Sequence, residues 1–342
     1  MTLEDYSNNP DMKKSTLLAL ILVILTSCSQ ERKALLPIVS GKAGEVVVVI
    51  DRTDWEGTLG NEVRDILACD CPFLPQREPL YSLCNVAPGG FSDLFKVHRN
   101  IVLMNINPQA DTTGVIYRHD VWAAPQVVIQ VSAPTSDEAG KLFRENSQTI
   151  LSAIEQAERD RVISNSIKYE QAGLAPHVRE VFGGSPHFPM GYTIKKKTSQ
   201  FIWIADEKEY STQGIFVYRY PASGRSDEFS VEEIIRHRNE ILKNNVPGMF
   251  ENTWMTTGDY IAPSVEYIRY KGRSFAQTRG LWEVENDYMG GPFVSQSFYS
   301  EDGSEVIVLE AFVYAPKYDK RQLLRQVESI LYSWEWEKKM EK

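Results

Sequence analysis

The hydrophobic positions of this chain follow two periods that alternate from one segment to the next. Runs rich in valine and isoleucine predict β-strands, and residues 46–50, which include no polar residue, predict a strand buried on both faces. Segments with apolar residues three or four positions apart predict amphipathic helices. Both patterns occur in each half of the chain, which favours an α+β fold.

The first half predicts a sheet with helices packed against it. Its strands are predicted at residues 46–50, 80–86, 101–106, 115–119 and 127–131. A helix is predicted over residues 55–67, and a long one begins at Thr135, which forms a capping box with Glu138. The apolar residues of this long helix recur as far as Ala157, so we expect one of its faces to cover the sheet.

The second half repeats this plan after a connection at residues 164–189, which holds a short helix between Pro176 and Gly183. Its strands are predicted as a hairpin at residues 192–205 and as single strands at 215–220, 265–270, 274–282, 293–299 and 306–314. One helix begins with a capping box at Ser230, and the last helix of the chain is expected to begin with Asp319 as its cap.

The length of the chain favours more than one domain, because 342 residues exceed what one compact core usually holds. We predict two α+β domains, at residues 45–163 and 190–342, each a mostly antiparallel or mixed sheet covered by amphipathic helices. Apolar residues make up 42% of the chain and aromatic residues 11%, a composition typical of folded rather than disordered protein.

The N-terminal residues predict an export signal. Lys13 and Lys14 precede an unbroken apolar stretch at residues 17–25, which is shorter than the roughly 20 residues of a membrane-spanning helix. Signal peptides typically begin with positive charge, continue with a short apolar stretch and end in small residues before the cleavage site. This pattern predicts a signal peptide at residues 1–27. Because acidic residues are atypical of such a start, Met12 is the expected initiator.

The signal peptide ends in the letters LTSC, which resemble the lipobox of bacterial lipoproteins. The resemblance implies cleavage before Cys28, a diacylglycerol thioether on its sulfur, and a palmitate-type acyl chain on the new amine. Several acyl chains hold a protein at a bilayer more firmly than one can. We therefore expect a lipid-anchored protein of the bacterial cell envelope, with residues 28–44 as its tether. Ser29, where inner-membrane retention signals place Asp, favours the outer membrane.

The charge of the chain argues against a nucleic-acid partner. Its formal net charge is −9, and removal of the leader, which carries three acidic and two basic residues, changes this to −8. Binding to nucleic acid depends on clustered lysine and arginine, which an acidic chain of this composition does not favour. The expected membrane contact is the lipid on Cys28.

Three further cysteines are expected in an exported compartment, where disulfides are stable. They are Cys69, Cys71 and Cys84, an odd number that leaves at least one thiol unpaired. We expect Cys84 to bond Cys69 or Cys71, with Cys71–Cys84 as the working pair. Three reduced, buried thiols are an alternative, and a metal site is a weaker one, because Cys-x-Cys lacks the usual Cys-x-x-Cys spacing.

The sequence lacks the signatures of common catalytic sites. It contains no Gly-x-Ser-x-Gly, Gly-x-x-x-x-Gly-Lys or His-Glu-x-x-His motif, and its five histidines are scattered along the chain. We therefore expect no cofactor and no resident metal, and a non-catalytic protein rather than an enzyme.

One segment, RGLWEVENDYMGG, has an unusual composition. Its residues Glu283, Glu285 and Asp287 alternate, so in an extended strand their side chains would lie on one side. Beside Trp282 and Tyr288, these carboxylates could bind a cation or a sugar, or act as an acid–base pair. The plainer interpretation is a strand with a polar face in solvent.

Several segments together resemble an uncharacterised family of lipoproteins that is common in Bacteroidota. They are the lipobox, the run GKAGEVVVVID followed by Trp55, the run LWEVENDYMGGPF, and the run FVYAPKYDKRQLLRQVESILYSW. The resemblance implies an envelope location and lipidation at Cys28, and it brings no catalytic residues.

The expected function is that of a membrane-anchored envelope lipoprotein with a binding or scaffolding role, whose partner is an envelope protein or a glycan. The alternative is an envelope hydrolase that acts on glycan through Glu283 and Glu285, for which two carboxyl groups must face each other across a concave pocket.

Lipidation predicts a specific mass for the native protein. We expect intact-mass spectrometry of protein extracted from membranes to find residues 1–27 removed and acyl groups on Cys28, because the lipobox cysteine is the attachment point. Cys28→Ser should leave the leader uncleaved. A native protein with a bare Cys28 thiol and the leader attached would contradict the prediction.

Overall fold

The computed structural model describes residues 35–109 and 112–337, and the described residues from Ile38 onward group by their contacts into one compact unit. The predicted signal peptide and Cys28 lie outside the described residues. Within the described ranges, no helix combines the length and the apolar character needed to cross a membrane.

The first half of the chain forms a five-stranded mixed sheet, called the first sheet below. Its elements are β1 (Glu45–Val49), α1 (Arg52–Glu56), α2 (Thr58–Leu67), β2 (Ser82–Val86), a 3-10 turn (Pro88–Gly90), α3 (Asp93–Lys96), β3 (Asn100–Ile106), β4 (Gly114–His119), β5 (Val127–Ala133), α4 (Ser136–Glu145) and α5 (Ser147–Lys168). The strand order is β2-β1-β3-β5-β4, parallel except for β4, which runs antiparallel to β5.

The second half forms an eight-stranded antiparallel sheet, called the second sheet below. Its elements are α6 (Leu174–Phe182), β6 (Gly184–Ser185), β7 (Thr193–Lys197), β8 (Phe201–Lys208), β9 (Ser211–Pro221), α7 (Val231–Asn245), β10 (Met255–Thr257), β11 (Ser264–Tyr270), β12 (Arg273–Val284), β13 (Gly290–Tyr299), β14 (Glu305–Tyr314), α8 (Arg321–Leu331) and β15 (Glu335–Trp336). The order is β10-β12-β13-β14-β9-β8-β7, with β11 also paired to β12, while β6 and β15 pair separately.

The predicted α+β fold class is confirmed: one sheet is mixed and the other antiparallel, and helices pack on both. The two predicted N-caps, Thr135 and Ser230, are present as well. The Thr135 hydroxyl accepts a hydrogen bond from the Glu138 backbone N–H, and the Ser230 hydroxyl accepts one from that of Glu233, both at 3.3 Å.

Helix α5 joins the two halves, because it contributes to both hydrophobic cores. Ile150 and Ile154 pack into the core of the first sheet, whereas Ile163 packs into the core that α8 shares with the second sheet. Helix α5 continues to Lys168, into the segment predicted as the connection at residues 164–189. The long helix predicted from Thr135 is also divided at Asn146, and the one predicted over residues 55–67 is divided at Gly57.

The last helix, α8, begins differently from the prediction. Its N-cap is Lys320 rather than Asp319, and no side chain at that position caps it. Instead the buried carboxylate of Glu78, from the first half, accepts hydrogen bonds from the backbone N–H groups of Lys320 at 2.7 Å and Arg321 at 2.9 Å. A negative group at a helix N-terminus is favourable because that end carries partial positive charge. The cap comes from a distant segment that periodicity alone does not identify.

Part of the predicted tether, residues 38–44, packs against the folded chain. Ile38 forms a bridge with Ala124, and Ser40 forms one with His98, so residues 38–44 belong to the compact unit. These contacts pair the segment with loops that flank the first sheet. The segment has no hydrophobic periodicity, so its sequence did not predict this pairing.

A buried ion pair fixes helix α7 to the second sheet. The side chains of Arg238 on α7 and Glu310 on β14 are both fully buried. The Arg238 guanidinium donates from Nε and Nη2 to both Glu310 oxygens at 2.7–3.1 Å, and it lies 3.9 Å from the centre of the Phe293 ring. This geometry offsets the cost of removing two charges from water, and loss of one partner would leave the other charge unpaired.

We predict that Glu310→Gln lowers the free energy of unfolding by about 3–5 kcal/mol, because it leaves the buried Arg238 charge uncompensated. The measurement is urea unfolding. The control is Glu305→Gln on the same strand, whose half-buried pair with Arg219 should contribute less than about 1 kcal/mol. Equal effects of the two substitutions would contradict the assignment.

Candidate functional site

The three alternating carboxylates do not share one face of a strand, which corrects the prediction. Strand β12 ends at Val284, and Asn286 has a positive φ of 61°, so the chain turns between Glu283 and Asp287. Glu283, Glu285, Asp287 and Tyr288 surround an open depression of about 470 Å³ that only residues 283–288 line.

The aromatic residues of this segment are separated from each other. Tyr288 is fully exposed at the turn, whereas Trp282 is buried and donates its indole N–H to the Val313 carbonyl at 3.2 Å. Burial raises the pKa of Glu283, as do the negative charges of Asp259 and Glu285. The structure thus groups acidic residues at a surface turn without enclosing a substrate site.

The expected disulfide between Cys71 and Cys84 is not formed, and the three cysteines of the described chain are free thiols. Cys71 packs against the core beneath α8, whereas Cys84 lies on β2 and packs with Phe91 and Phe95 on another face of the first sheet. Because the side chains of a strand alternate between its two faces, the register of β2 directs Cys84 away from Cys71.

A cleft between α5, α8 and β12 brings together charged residues from distant parts of the sequence. Its volume is about 360 Å³, within the range typical of small-molecule sites. We call it the arginine cleft, and it is lined by Cys71, Pro72, Leu80, Leu151, Ser152, Glu155, Gln156, Arg159, Arg279, Arg321, Leu324, Arg325 and Glu328.

Four guanidinium groups and two carboxylates line this cleft, so its lining carries an excess of positive charge. Arg325 on α8 donates to both oxygens of Glu155 on α5 at 3.1–3.2 Å, and Arg279 on β12 pairs with Glu328 on α8. These two pairs hold α5, α8 and β12 together around the cleft.

The other two arginines have no ion pair with a carboxylate among the described residues. Arg159 lies 3.8 Å from the centre of the Tyr332 ring and donates a hydrogen bond to the Gln156 side chain at 3.0 Å. Arg321 donates to the Pro79 carbonyl, and its buried Nε has no hydrogen-bond partner in the described structure. These two guanidiniums therefore keep hydrogen-bonding capacity for a ligand.

The pKa shifts agree with a positive cleft. Burial lowers the pKa of Arg321, and the neighbouring charge of Arg325 lowers it further. Burial alone would raise the pKa of Glu155, but Arg325 and Arg159 outweigh it and the pKa is lowered, so the carboxylate stays ionised at neutral pH. An anion in the cleft would relieve the repulsion between the guanidiniums.

The thiol in the cleft is not set up as a nucleophile. Burial raises the pKa of Cys71 to about 11, despite the nearby positive charges of Arg325 and Arg279. A thiol with this pKa is protonated at neutral pH, and the thiolate is the reactive form. No group of three or more metal-ligating side chains that could hold a metal ion occurs within the described parts of the chain.

Sequence patterns do not predict this cleft, because its residues converge only through tertiary packing. The last helix carries Arg321, Arg325 and Glu328, which recur at helical spacing and would read as a solvated face. They line a cleft only when α8 packs beside α5.

We predict three thiols for residues 29–342, which lack Cys28, when this protein is denatured without reductant, because Cys69, Cys71 and Cys84 are unpaired. Alkylation with iodoacetamide followed by mass spectrometry measures the count. In the native protein, exposed Cys69 should react first, and Cys71 should react slowest at pH 8, since its pKa is raised to about 11. If two of the thiols were alkylated only after reduction, a disulfide would be present and the prediction of three free thiols would be contradicted.

In comparisons with known proteins, each half of the chain matches a family of unknown function. Residues 39–166 match the family described as Domain of unknown function (DUF8532), and residues 172–333 match Domain of unknown function (DUF4837). No curated protein matches the chain.

Among solved structures, a crystal structure from Bacteroides thetaiotaomicron VPI-5482 is similar at 12% sequence identity and a TM-score of 0.21. The match covers 47% of this chain and 47% of that one, so the chain spans about half of the length of that protein. The arginine cleft lies where the two family matches meet, with α5 in the first and α8 and β12 in the second. Over most of its length, this chain is therefore similar to uncharacterised protein families.

Proposed function

We propose that this protein is an envelope lipoprotein, anchored through acylated Cys28, that binds a small anionic ligand in the arginine cleft without transforming it. The observation that carries the proposal is the charge of the cleft: four guanidiniums and two carboxylates line a partly open site of about 360 Å³. The chain as a whole has a net charge of −9, so this local excess of positive charge is opposite to its average.

The two arginines without carboxylate partners indicate where the ligand would bind. Arg159 and Arg321 belong to α5 and α8, so an anion between them would contact both halves of the chain. Ligand sites occur preferentially at such junctions. Unmet hydrogen-bonding capacity at the Arg321 Nε supports an acceptor-rich ligand, because a buried donor without a partner costs stability.

The chemistry of the arginines favours a carboxylate or phosphate group. The planar guanidinium presents parallel N–H donors that match two oxygens of either group, and such paired contacts are stronger than neutral hydrogen bonds. The apolar side chains of Leu80, Leu151 and Leu324 would contact the rest of the ligand.

A binding role fits the lining better than a catalytic role. The Cys71 thiol is held protonated, and Glu155 and Glu328 are engaged by arginines, so neither carboxylate is free to transfer protons. The glycan hydrolase suggested by Glu283 and Glu285 is not favoured, because these residues lie at an open turn. The sequence supports the envelope location through the lipobox and Ser29.

We predict that Arg159→Gln weakens binding of citrate or pyrophosphate about tenfold or more, since a hydrogen bond to a charged group contributes about 1.5–3 kcal/mol. Isothermal titration calorimetry at low ionic strength measures the affinity, which should fall as salt screens the cleft.

The matched control for this experiment is Arg236→Gln. Arg236 is an exposed arginine on α7 that pairs with Glu233, away from the cleft. We expect this variant to bind like the unaltered protein. Failure of both citrate and pyrophosphate to bind, or equal loss in the two variants, would contradict the proposal.

A further inference from the structure

A second cavity lies on the opposite face of the second sheet, beside α7. It has a volume of about 240 Å³. We call it the aromatic cavity, and it is lined by Trp203, Glu207, Thr212, Val246, Pro247, Gly248, Met249, Met255, Trp282, Val284, Met289, Phe312 and Tyr314. Alternation along β12 and β14 places Trp282 and Phe312 here, whereas Arg279 and Val313 face the side of α8.

The walls of this cavity are a rigid aromatic group and a set of methionines. Trp282 packs edge-on against Phe312, with ring centres 5.7 Å apart, and its indole N–H is already used by the Val313 carbonyl. Met249, Met255 and Met289 complete the lining. Methionine adapts its shape and makes favourable contacts with aromatic rings, which suits a wall that accommodates a ligand.

The polar groups of the lining are few, and one of them lacks a partner. Glu207 accepts a hydrogen bond from Lys195 at 2.6 Å. In contrast, the Nε1 atom of Trp203 is buried and has no hydrogen-bond partner within the described ranges of the chain. A buried donor without a partner is unfavourable, so an acceptor supplied by a ligand would be stabilising.

A loop with exposed apolar side chains borders the cavity, which its residues Pro247, Gly248 and Met249 line. Residues 247–254 are held as a tight loop by hydrogen bonds from the Gly248 N–H to the Thr253 carbonyl and from the Thr253 hydroxyl to the Phe250 carbonyl. The loop holds Met249 and Phe250 outward, 80% and 66% exposed. Apolar side chains this exposed, beside an apolar cavity, are typical of a binding site.

We propose that the aromatic cavity is a second binding site, for a single aromatic ring that carries a carbonyl-type hydrogen-bond acceptor. The size sets the class, because an apolar protein cavity of about 150 Å³ holds one benzene molecule, and 240 Å³ leaves room for a short substituent. The ring packs among Trp282, Phe312 and the methionines, and the acceptor receives the Trp203 N–H. This site is independent of the arginine cleft and of the function proposed for it.

The test compares acetophenone with ethylbenzene, which have similar shape but differ in the carbonyl acceptor. Affinities are measured by ligand-observed NMR titration of residues 29–342, which keep the compact unit and lack Cys28, because lipid or detergent would absorb both probes. We expect both probes to bind and acetophenone to bind about two- to tenfold more tightly, as one neutral hydrogen bond provides.

Two variants and one control locate the binding. Met289→Trp fills the cavity and should abolish binding of both probes, whereas Tyr288→Trp adds the same indole at the neighbouring exposed position and should leave both affinities unchanged. Trp203→Phe keeps an aromatic ring without the donor, so acetophenone should weaken to the affinity of ethylbenzene while ethylbenzene stays the same.

The proposal is overturned if neither probe binds the unaltered protein, or if Trp203→Phe leaves the preference for acetophenone intact. Binding that survives Met289→Trp in a variant whose circular dichroism spectrum is unchanged would place the probes elsewhere and would also overturn it.

Discussion

The packing of α5 against α8 is the constraint on which the rest of this structure depends. Helix α5 contributes Ile150 and Ile154 to one core and Ile163 to the other, so a single helix belongs to both halves. Helix α8 is in turn attached to the first half by charge, through the Glu78 carboxylate at its N-terminus and the contact of Arg325 with Glu155. Tyr81 donates to the same Glu155 carboxylate at 3.0 Å. A largely buried ion pair is favourable only when its remaining hydrogen bonds are satisfied, and these contacts satisfy them.

This packing also explains why the two candidate sites differ in chemistry. The second sheet presents one face to α8 and α5, where arginines converge, and the other face to α7, where aromatic and sulfur-containing side chains line a cavity. Alternation along β12 is enough to place Arg279 in one site and Trp282 in the other. The two proposed sites would therefore recognise different kinds of group, and neither is lined by the carboxylates at the turn after β12.

Local patterns predicted much of this fold, and long-range contacts account for what they missed. The strands at residues 46–50 and 306–314 and the caps at Thr135 and Ser230 depend on neighbouring residues, so the sequence predicts them well. The cap of α8 comes from Glu78, more than two hundred residues away, which explains why Asp319 was the wrong expectation. The arginine cleft could not be predicted either, because Cys71, Arg159, Arg279 and Arg325 meet only in the folded chain. The sequence predicted Trp282 as a binding residue because acidic residues follow it. In the structure, Trp282 lines a cavity on the other face of the strand from Glu283.

The most direct test of the central claim, that the contact of α5 with α8 creates an anion site, is anomalous diffraction at the selenium edge from crystals soaked in selenate. The account predicts an anomalous peak inside the cleft, within hydrogen-bonding distance of the Arg159 and Arg321 guanidiniums. Selenate peaks at exposed arginines elsewhere, with no peak in the cleft, would contradict it.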